Sequence, residues 1–204
     1  TTRSPTGQKG LPPRTATPDH PVKLTDALTP ALVLDRSRLE RNCVRMRERC
    51  RDLGVKLRPH MKTLKSIDAA RVAIDPDFGA VAVSTLLEAE YFAAGGIGDI
   101  QLAVCMTPEK LPRAASVARD IPRFSFFLDS MSMARASADY ARSTAAPLRI
   151  WIEIDSGEHR TGVEPDDPAL IEIASILAEA PVVLEGVATH GGHSYRGRDS
   201  QAIA

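Results

Sequence analysis

A regular alternation of short apolar runs and longer helix-like segments constrains the fold of this chain more than any other feature. The apolar runs begin near residues 31, 55, 79, 99, 123, 148 and 182. Most repeats are therefore about 20 to 25 residues long, and each apolar run is followed by apolar residues at helical spacing. This rhythm is typical of parallel α/β proteins, in which a helix returns the chain to the start of the next strand.

Two architectures fit this rhythm, a doubly wound sheet and a TIM-type (β/α)8 barrel. No G-x-G-x-x-G fingerprint follows the first apolar run, which argues against the nucleotide-binding form of the doubly wound fold. Residues with useful chemistry instead follow the ends of many runs, where the active site of a barrel lies. These residues are Lys62, Ser84, Thr107, Asp129, Asp155 and His190. We therefore predict the barrel.

The number of units is one short of a closed barrel. Seven strands are predicted, whereas a barrel of this type has eight. Without an eighth strand, the first and seventh would be unpaired edges, which promote aggregation or pairing with a partner. We expect a fragment, or an incomplete product, of a longer enzyme, in which residues 1–23 form a flexible, proline-rich arm and residues 24–204 form the incomplete barrel.

Composition excludes several classes of function. Lys and Arg together number 26, as do Asp and Glu, so the chain lacks the overall positive charge that attracts nucleic acid. No apolar run approaches the roughly 18 residues of a membrane span, and the first residues lack the apolar core of a secretory signal. We predict a cytoplasmic protein that binds neither nucleic acid nor membrane. Its cysteines, Cys43, Cys50 and Cys105, are expected to be buried free thiols.

The segment from Leu57 to Lys65 concentrates the chemistry of the chain. Alternation along a strand places Arg58, His60 and Lys62 on one face. Neighbouring cations favour the neutral form of a lysine amine, which is the form that attacks a carbonyl group. The residues alone leave a second interpretation open, a basic strand end that binds a phosphate or a carboxylate.

Five segments in order resemble motifs of the fold-type III pyridoxal-phosphate enzymes that include D-threonine aldolase and eukaryotic-type D-serine dehydratase. The segments are 31–42 (the first strand and helix), 58–65 (RPHMKTLK, similar to R-P-H-x-K-T-H-K), 85–90 (TLLEAE, similar to T-L-x-E-A-E), 153–163 (EIDSG and RTGV, similar to E-x-D-x-G and R-x-G-V) and 190–195 (HGGHSY, similar to H-x-G-H-S-Y). The resemblance covers about residues 28–200 and implies a barrel of the alanine racemase N-terminal kind.

The resemblance also implies that pyridoxal 5'-phosphate forms a Schiff base with Lys62. The inward strand-end position favours Lys62 over Lys65, which is expected to be solvated. Arg160 occupies the position that faces the pyridine nitrogen of the cofactor. Because an arginine only donates hydrogen bonds, that nitrogen should stay unprotonated and the ring should be a weaker electron sink. Without the resemblance, Arg160 is better explained by an ion pair with Asp155 or Glu158 that braces the loop.

Three further residues are implied at the cofactor. Tyr195 resembles the tyrosine that holds the cofactor through its phosphate, and His190 is expected in the surrounding shell. Ser84 is expected to contact the cofactor, although the family often has glutamine at that position. His193 has no assigned role, and Leu64 stands where the family usually has histidine.

The implied activity is that of a lyase acting on D-β-hydroxy amino acids, as an aldolase or as a dehydratase. A divalent metal, Mn or Zn, is implied for the full-length enzyme through a C-terminal β-domain, so no metal ligand is predicted here. The resemblance implies a homodimer, and we expect the isolated fragment to be inactive. Two alternatives stay open, an amino-acid racemase and a barrel that binds pyridoxal phosphate without catalysis.

Overall fold

Helices and strands alternate along the described residues, 23–197 and Asp199, of the computed structural model. The helices are α1 (Arg36–Asp52), α2 (Ile67–Ala73), α3 (Leu86–Ala94), α4 (Leu111–Asp120), α5 (Met131–Thr144) and α6 (Ala169–Ala178). The strands are β1 (Ala80–Val83), β2 (Asp99–Cys105), β3 (Arg123–Leu128), β4 (Arg149–Ile154) and β5 (Val183–Thr189). Short 3-10 helices span Leu24–Asp26, Pro108–Lys110 and Gly192–Arg196. No helix in this part of the chain combines the length and apolar character that crossing a membrane requires.

The five strands form one parallel sheet in which consecutive strands are always neighbours. The strand order never reverses, as it does at the switch point of a doubly wound sheet, so the arrangement is that of a barrel segment. These strands confirm the five predicted from residue 79 onward. Because the strands are parallel, all their carboxyl ends lie at one edge of the sheet.

The first predicted strand, residues 31–35, has no regular secondary structure. A parallel strand is held by hydrogen bonds to a neighbour, and no strand within the described ranges pairs with this segment. Leu32 is accordingly fully exposed. A boundary between two compact units falls between Asp35 and Arg36. The predicted flexible arm, apart from Lys23, lies outside the described residues.

The second predicted strand, residues 55–61, is reduced to one isolated bridge between His60 and Ala82. The amide of Met61 donates to the carbonyl of Ala82 at 2.8 Å, and the amide of Ala82 donates to that of Pro59 at 2.9 Å. These two hydrogen bonds fix the segment beside β1. They hold the start of the following turn, which contains Lys62, at the edge of the sheet where the strands end.

The two faces of the sheet carry different residue types. One face is apolar and packs against the helices, with Phe92 of α3 and Ile173 of α6 among the buried partners. Its fully buried strand residues include Val81, Ile100, Phe124, Phe126, Leu128, Ile150 and Ile152. The alternate positions carry Gln101, Ser125, Arg149 and Glu153. This polar face is where side chains for binding and chemistry are available.

Side-chain caps fix how strands turn into helices. The hydroxyl of Thr85 accepts a hydrogen bond from the amide of Glu88 at 3.1 Å, and the carboxylate of Glu88 accepts one from the amide of Ser84 at 2.8 Å. Thr85 therefore caps α3, and Glu88 extends this capping box to the residue before the cap. The hydroxyls of Ser66 and Ser130 cap α2 and α5 by accepting hydrogen bonds from the amides of Ala69 and Met133. The cap at Thr85 also fixes Ser84 at the end of β1.

The three cysteines are free, as predicted, but none of them is fully buried. Helix α1, which carries Cys43 and Cys50, has no buried residue, so its apolar stripe is only partly covered. Cys105 lies in β2, as predicted, but on the polar face of the sheet. Its environment is described with the cavity below.

Candidate active site

A cavity of about 520 Å³ opens at the carboxyl ends of the strands. All five residues that the sequence predicted for the site line it, namely Lys62, Ser84, Arg160, His190 and Tyr195. They come from the turn after the His60 bridge and from the loops after β1, β4 and β5. The parallel topology explains why residues so far apart in sequence converge. Their individual roles stay predictions.

The two lysines of the 57–65 segment have different environments. Lys62 lines the cavity, and its amine has no hydrogen bond or ion pair to any of the described residues. Lys65 does not line the cavity, and its amine lies 3.1 Å from a carboxylate oxygen of Glu88. The side chain of Lys65 is 62% exposed, which confirms its predicted solvation. Of these two lysines, only Lys62 therefore presents an unpaired amine to the cavity.

His60 is a cavity residue that was not assigned to the site from sequence. Its Nδ1 accepts a hydrogen bond from the amide of Lys62 at 3.2 Å, so a neutral ring carries its proton on Nε2. That nitrogen lies 3.4 Å from the hydroxyl of Ser84. Burial lowers the pKa of His60, and the positive charge of Lys62 lowers it further. The ring is therefore neutral at pH 7 and supports the turn that carries Lys62.

Arg58 does not join Lys62 at the cavity, and the predicted crowding of three cations is wrong in this respect. The guanidinium of Arg58 lies 2.6 Å from a carboxylate oxygen of Asp99 and 5.0 Å from the ring centre of Phe78. The side chains of Arg58 and Asp99 are only 16% and 15% exposed. The charge of Arg58 is thus neutralised by Asp99, a largely buried residue at the start of β2.

This ion pair is one end of a row of charges across the amino ends of the strands, which we call the ion chain. Arg123 lies 3.3 Å from both Asp99 and Glu185, and Arg149 pairs with Glu185. The chain therefore runs Arg58, Asp99, Arg123, Glu185, Arg149. Every arginine in it has a carboxylate partner, so this end of the polar face is largely neutralised.

The loop after β4 is held by Asp155. Its carboxylate accepts hydrogen bonds from the amides of Gly157 at 2.9 Å and His159 at 3.0 Å, and from the ring of His159. These bonds, that of Gly157 first, lower the pKa of Asp155. Gly162 has a φ of +107°, and a Cβ on it would lie 2.5 Å from the amide nitrogen of Asp155. Only glycine therefore fits this position of the R-x-G-V segment.

Asp155, His159 and Glu164 each bring one potential metal-ligand atom within 4.8 Å of the others. His159 and Glu164 are 71% and 60% exposed, and hydrogen bonds within the loop already use both oxygens of Asp155. These contacts account for the arrangement as a loop brace. We assign no metal to it.

Glu158 connects two of the predicted site residues. Its Oε2 lies 2.5 Å from Nδ1 of His190 and 3.7 Å from the guanidinium of Arg160. The pairing of Arg160 with Glu158 was the alternative explanation considered from sequence, and it is present although Arg160 also lines the cavity. The contact with His190 was missed, because the two residues are 32 positions apart and no local pattern connects them.

Cys105 and Glu153 form a pair within the cavity wall that sequence reasoning also missed. The thiol of Cys105 donates a hydrogen bond to Glu153 Oε2 at 2.9 Å, and both residues line the cavity. Burial, followed by the contact with Glu153, strongly raises the pKa of the thiol. The thiol therefore stays protonated and is a poor nucleophile. The signal available in sequence was alternation, since both residues fall on the polar face.

The sequence matches the family described as alanine racemase, N-terminal domain, over residues 34–203, and the chain therefore belongs to this family. It is 42% identical over 168 residues to D-threo-3-hydroxyaspartate dehydratase from Delftia sp., covering 82% of this chain and 44% of that protein. It is 32% identical over 186 residues to D-serine dehydratase from Schizosaccharomyces pombe, covering 86% and 45%. The chain thus spans less than half the length of these curated relatives.

Solved structures show the same relationship. The Delftia dehydratase superposes with a TM-score of 0.76 at 42% identity, over 83% of this chain and 45% of that one. D-threonine aldolase from Filomicrobium marinum gives 0.71 at 30% identity, over 80% and 44%. Alanine racemase from E. faecalis gives 0.64 at 17% identity, over 82% and 44%, which shows the fold alone. The predicted fold class and family resemblance are confirmed.

Proposed function

We propose that the whole protein is a pyridoxal-phosphate-dependent lyase acting on D-amino acids with a β-hydroxyl group, and that this chain supplies its cofactor lysine, Lys62. The observation that carries the proposal is the unpaired amine of Lys62 in a cavity shared with Arg160, His190 and Tyr195. The names of the relatives support the substrate class. D-threo-3-hydroxyaspartate, D-serine and D-threonine all combine the D configuration with a β-hydroxyl group.

The donor set of the cavity fits pyridoxal phosphate. A primary amine without a competing partner is the group that bonds covalently to an aldehyde. The guanidinium of Arg160 can donate to a ring nitrogen, and the hydroxyl of Tyr195 can donate to a phosphate oxygen. A volume of about 520 Å³ lies within the usual range for small-molecule sites. When bound, the cofactor supplies an electron-withdrawing ring that stabilises negative charge at the substrate Cα.

The residues of the chain then have separate tasks. Lys62 Nζ would hold the cofactor and, as a free amine, would be placed to accept a proton at the cavity. Neutral His60 holds the turn of Lys62 through the Lys62 amide and does not compete with Nζ for that proton. Arg160 keeps the ring nitrogen unprotonated, because a guanidinium has no proton to give up near neutral pH. Carbanionic charge on the substrate must therefore be stabilised partly outside the ring.

Two reactions are compatible with these tasks. In dehydration, the Cα proton and the β-hydroxyl group leave, and hydrolysis of the product gives a keto acid and ammonia. In aldol cleavage, the Cα–Cβ bond breaks and gives glycine and an aldehyde. The relative that is 42% identical is a dehydratase, which favours dehydration. The metal expected at the β-hydroxyl group has no assigned ligand among residues 23–197 and Asp199.

The test is an assay of the whole protein with D-threo-3-hydroxyaspartate, D-serine and D-threonine, with the L-enantiomers as controls. Keto acid with ammonia supports the dehydratase, and glycine with an aldehyde supports the aldolase. Interconversion of D- and L-alanine without ammonia would instead support a racemase, an activity named for a relative that is 28% identical over 61% of this chain. Cofactor attached to Lys62 without any turnover would support the non-catalytic alternative and contradict the lyase.

Three further predictions accompany this proposal. The homodimer implied by the family resemblance is testable by light scattering of the whole protein, and a monomer would contradict it. The cytoplasmic location stays a prediction and is testable by cell fractionation.

The 204-residue chain alone is expected to show no turnover, because part of the cofactor site is expected to come from outside it. Turnover by the isolated chain would contradict that expectation.

A further inference from the structure

We infer that Glu158 is a positioning residue that ties the loop after β4 to the turn after β5 and so fixes Arg160 and His190 at the cavity. The inference rests on the proposed function, since it assigns how two proposed cofactor contacts are held. Glu158 itself does not line the cavity. Any effect it has on the site must therefore pass through the residues it contacts.

The carboxylate of Glu158 lies between the two loops. It is 2.5 Å from Nδ1 of His190 and 3.7 Å from the guanidinium of Arg160, and the side chains of Glu158 and His190 are only 29% and 30% exposed. The ring of His190 in turn meets the ring of Tyr195 edge to face, with centroids 6.0 Å apart. One carboxylate thus connects, directly or through one ring, three of the five predicted site residues.

The backbone of the turn is shaped around this carboxylate. A Cβ on Gly192 would lie 2.2 to 2.5 Å from the carboxyl atoms of Glu158, which is closer than any real contact. A free glutamate could swing away, but this one is held by His190. Gly191, one residue earlier in the same turn, has only the hydroxyl of Ser194 near its Cβ position, at 4.0 Å. An alanine at position 192 would therefore displace the carboxylate of Glu158, whereas an alanine at position 191 would not.

Apart from local hydrogen bonds, two other contacts hold these loops: the hydroxyl of Thr189 donates to that of Ser156 at 2.6 Å, and the amide of Gly162 donates to Asp129 at 3.2 Å. Neither of them contacts Arg160 or His190, which Glu158 does. Catalytic and binding groups must be held to within about 0.5 Å of their working positions, and loop residues reach this only when supporting contacts fix them. A hydrogen bond to a charged carboxylate is stronger than one between neutral groups. Its loss should loosen Arg160 and His190 together.

Two substitutions weaken the link in different ways. Glu158→Gln removes the charge and keeps the shape of the side chain, whereas Gly192→Ala keeps the charge and displaces the carboxylate. Their controls are Glu164→Gln, which removes a charge from the same loop at a residue paired with His159, and Gly191→Ala, which makes the same change in the same turn.

Three measurements on the whole protein separate the outcomes. The first is the dissociation constant of pyridoxal phosphate, expected to rise about tenfold in both test variants. The second is the visible absorption spectrum of the bound cofactor, expected to shift because Arg160 moves relative to the ring. The third is amide exchange of Ser194 and Gly197 in cofactor-free protein, expected to be about tenfold faster. Their amides donate to Gly191 and Ser194 within the turn.

Both controls should stay within about twofold of the unmodified protein in all three measurements. If Glu158→Gln behaves like Glu164→Gln while the cofactor remains attached to Lys62, the inference is overturned and the proposed function stands. If no cofactor attaches to Lys62 in the unmodified protein, the proposed function fails, and exchange in the cofactor-free turn still decides whether the link exists. Should Gly192→Ala not fold, the shape-preserving Glu158→Gln variant decides alone.

Discussion

The two ends of the polar face of the sheet differ in whether they contain a basic side chain without a partner. At the amino ends of the strands, Arg58, Arg123 and Arg149 are each paired with Asp99 or Glu185 in the ion chain. At the carboxyl ends, the amine of Lys62 has no hydrogen-bonding or ionic partner in the described part of the chain. The same face thus satisfies its charges at one end and leaves an amine available at the other.

This difference separates residues that stabilise the fold from residues that can react. A buried charge is costly unless it is paired, which accounts for the pairing of Arg58, only 16% exposed, with Asp99. Arg123 and Arg149 are more exposed and continue the ion chain. An amine held by a carboxylate must give up that contact before it can bond to a carbonyl group. Lys65, paired with Glu88, belongs with the first group although it lies three residues from Lys62.

The largest expected effect lies at the carboxyl ends. Lys62→Ala in the whole protein should abolish turnover of D-β-hydroxy amino acids, because it removes the only cavity amine found among the described residues. Lys65→Ala is the matched control, and it should retain turnover because the amine that it removes does not line the cavity. Steady-state kinetics of both variants make the comparison. Equal losses of turnover in the two variants would contradict the distinction between the two lysines.

The next largest effect is expected at the amino ends, and it should be on stability. Asp99→Ala leaves Arg58 without its carboxylate in a largely buried position, so the free energy of unfolding should fall by about 3 kcal/mol. Asp139→Ala removes a surface partner of Arg142 and should cost less than about 0.5 kcal/mol. Urea unfolding of both variants measures the difference. A change below about 1 kcal/mol for Asp99→Ala would show that the ion chain is not a structural requirement.

The smallest expected effect concerns the capping box that fixes Ser84 at the cavity. Burial alone would raise the pKa of Glu88, but the hydrogen bond from Ser84 and the contact with Lys65 outweigh it and lower that pKa below its ordinary value of 4.5. A lowered folded-state pKa means that the stabilisation is fully present above about pH 4.5 and is lost as the pH falls through the folded-state pKa.

Glu88→Gln should therefore cost about 1 kcal/mol of unfolding free energy at pH 7, and its cost should shrink as the solution is acidified below pH 4.5. Glu48→Gln, on the exposed face of α1, should change stability by less than about 0.5 kcal/mol at any pH. Denaturation curves at several pH values test both statements. A cost that does not depend on pH would show that the charge of Glu88 is not what supports the cap.

The five strands that pair in the sheet could be predicted from sequence, because their apolar runs are a local signal. Side-chain caps at the helices after β1 and β3 are a second local signal. Residues 31–35 carry an equally apolar pattern, but they belong to the other compact unit and have no regular secondary structure. Periodicity reports whether a segment favours a strand, but it does not report whether a neighbouring strand is available to pair with it.

The candidate site was predictable where a residue follows a strand end. Lys62, Ser84 and His190 do so, and all three line the cavity. The contacts that define their environments could not be predicted, because Asp99 is 41 residues from Arg58 and Glu158 is 32 from His190. Such pairs depend on which strands are neighbours and in which register, which is tertiary information.

The central claim is that Lys62 is the amine that this fold leaves available for covalent chemistry. The most direct measurement is reduction of the whole protein with borohydride in the presence of pyridoxal phosphate, followed by peptide mapping by mass spectrometry. We predict a single modified lysine in residues 57–65, located at Lys62 and absent from the Lys62→Ala variant. Modification at Lys65, or at no lysine of this chain, would contradict the account.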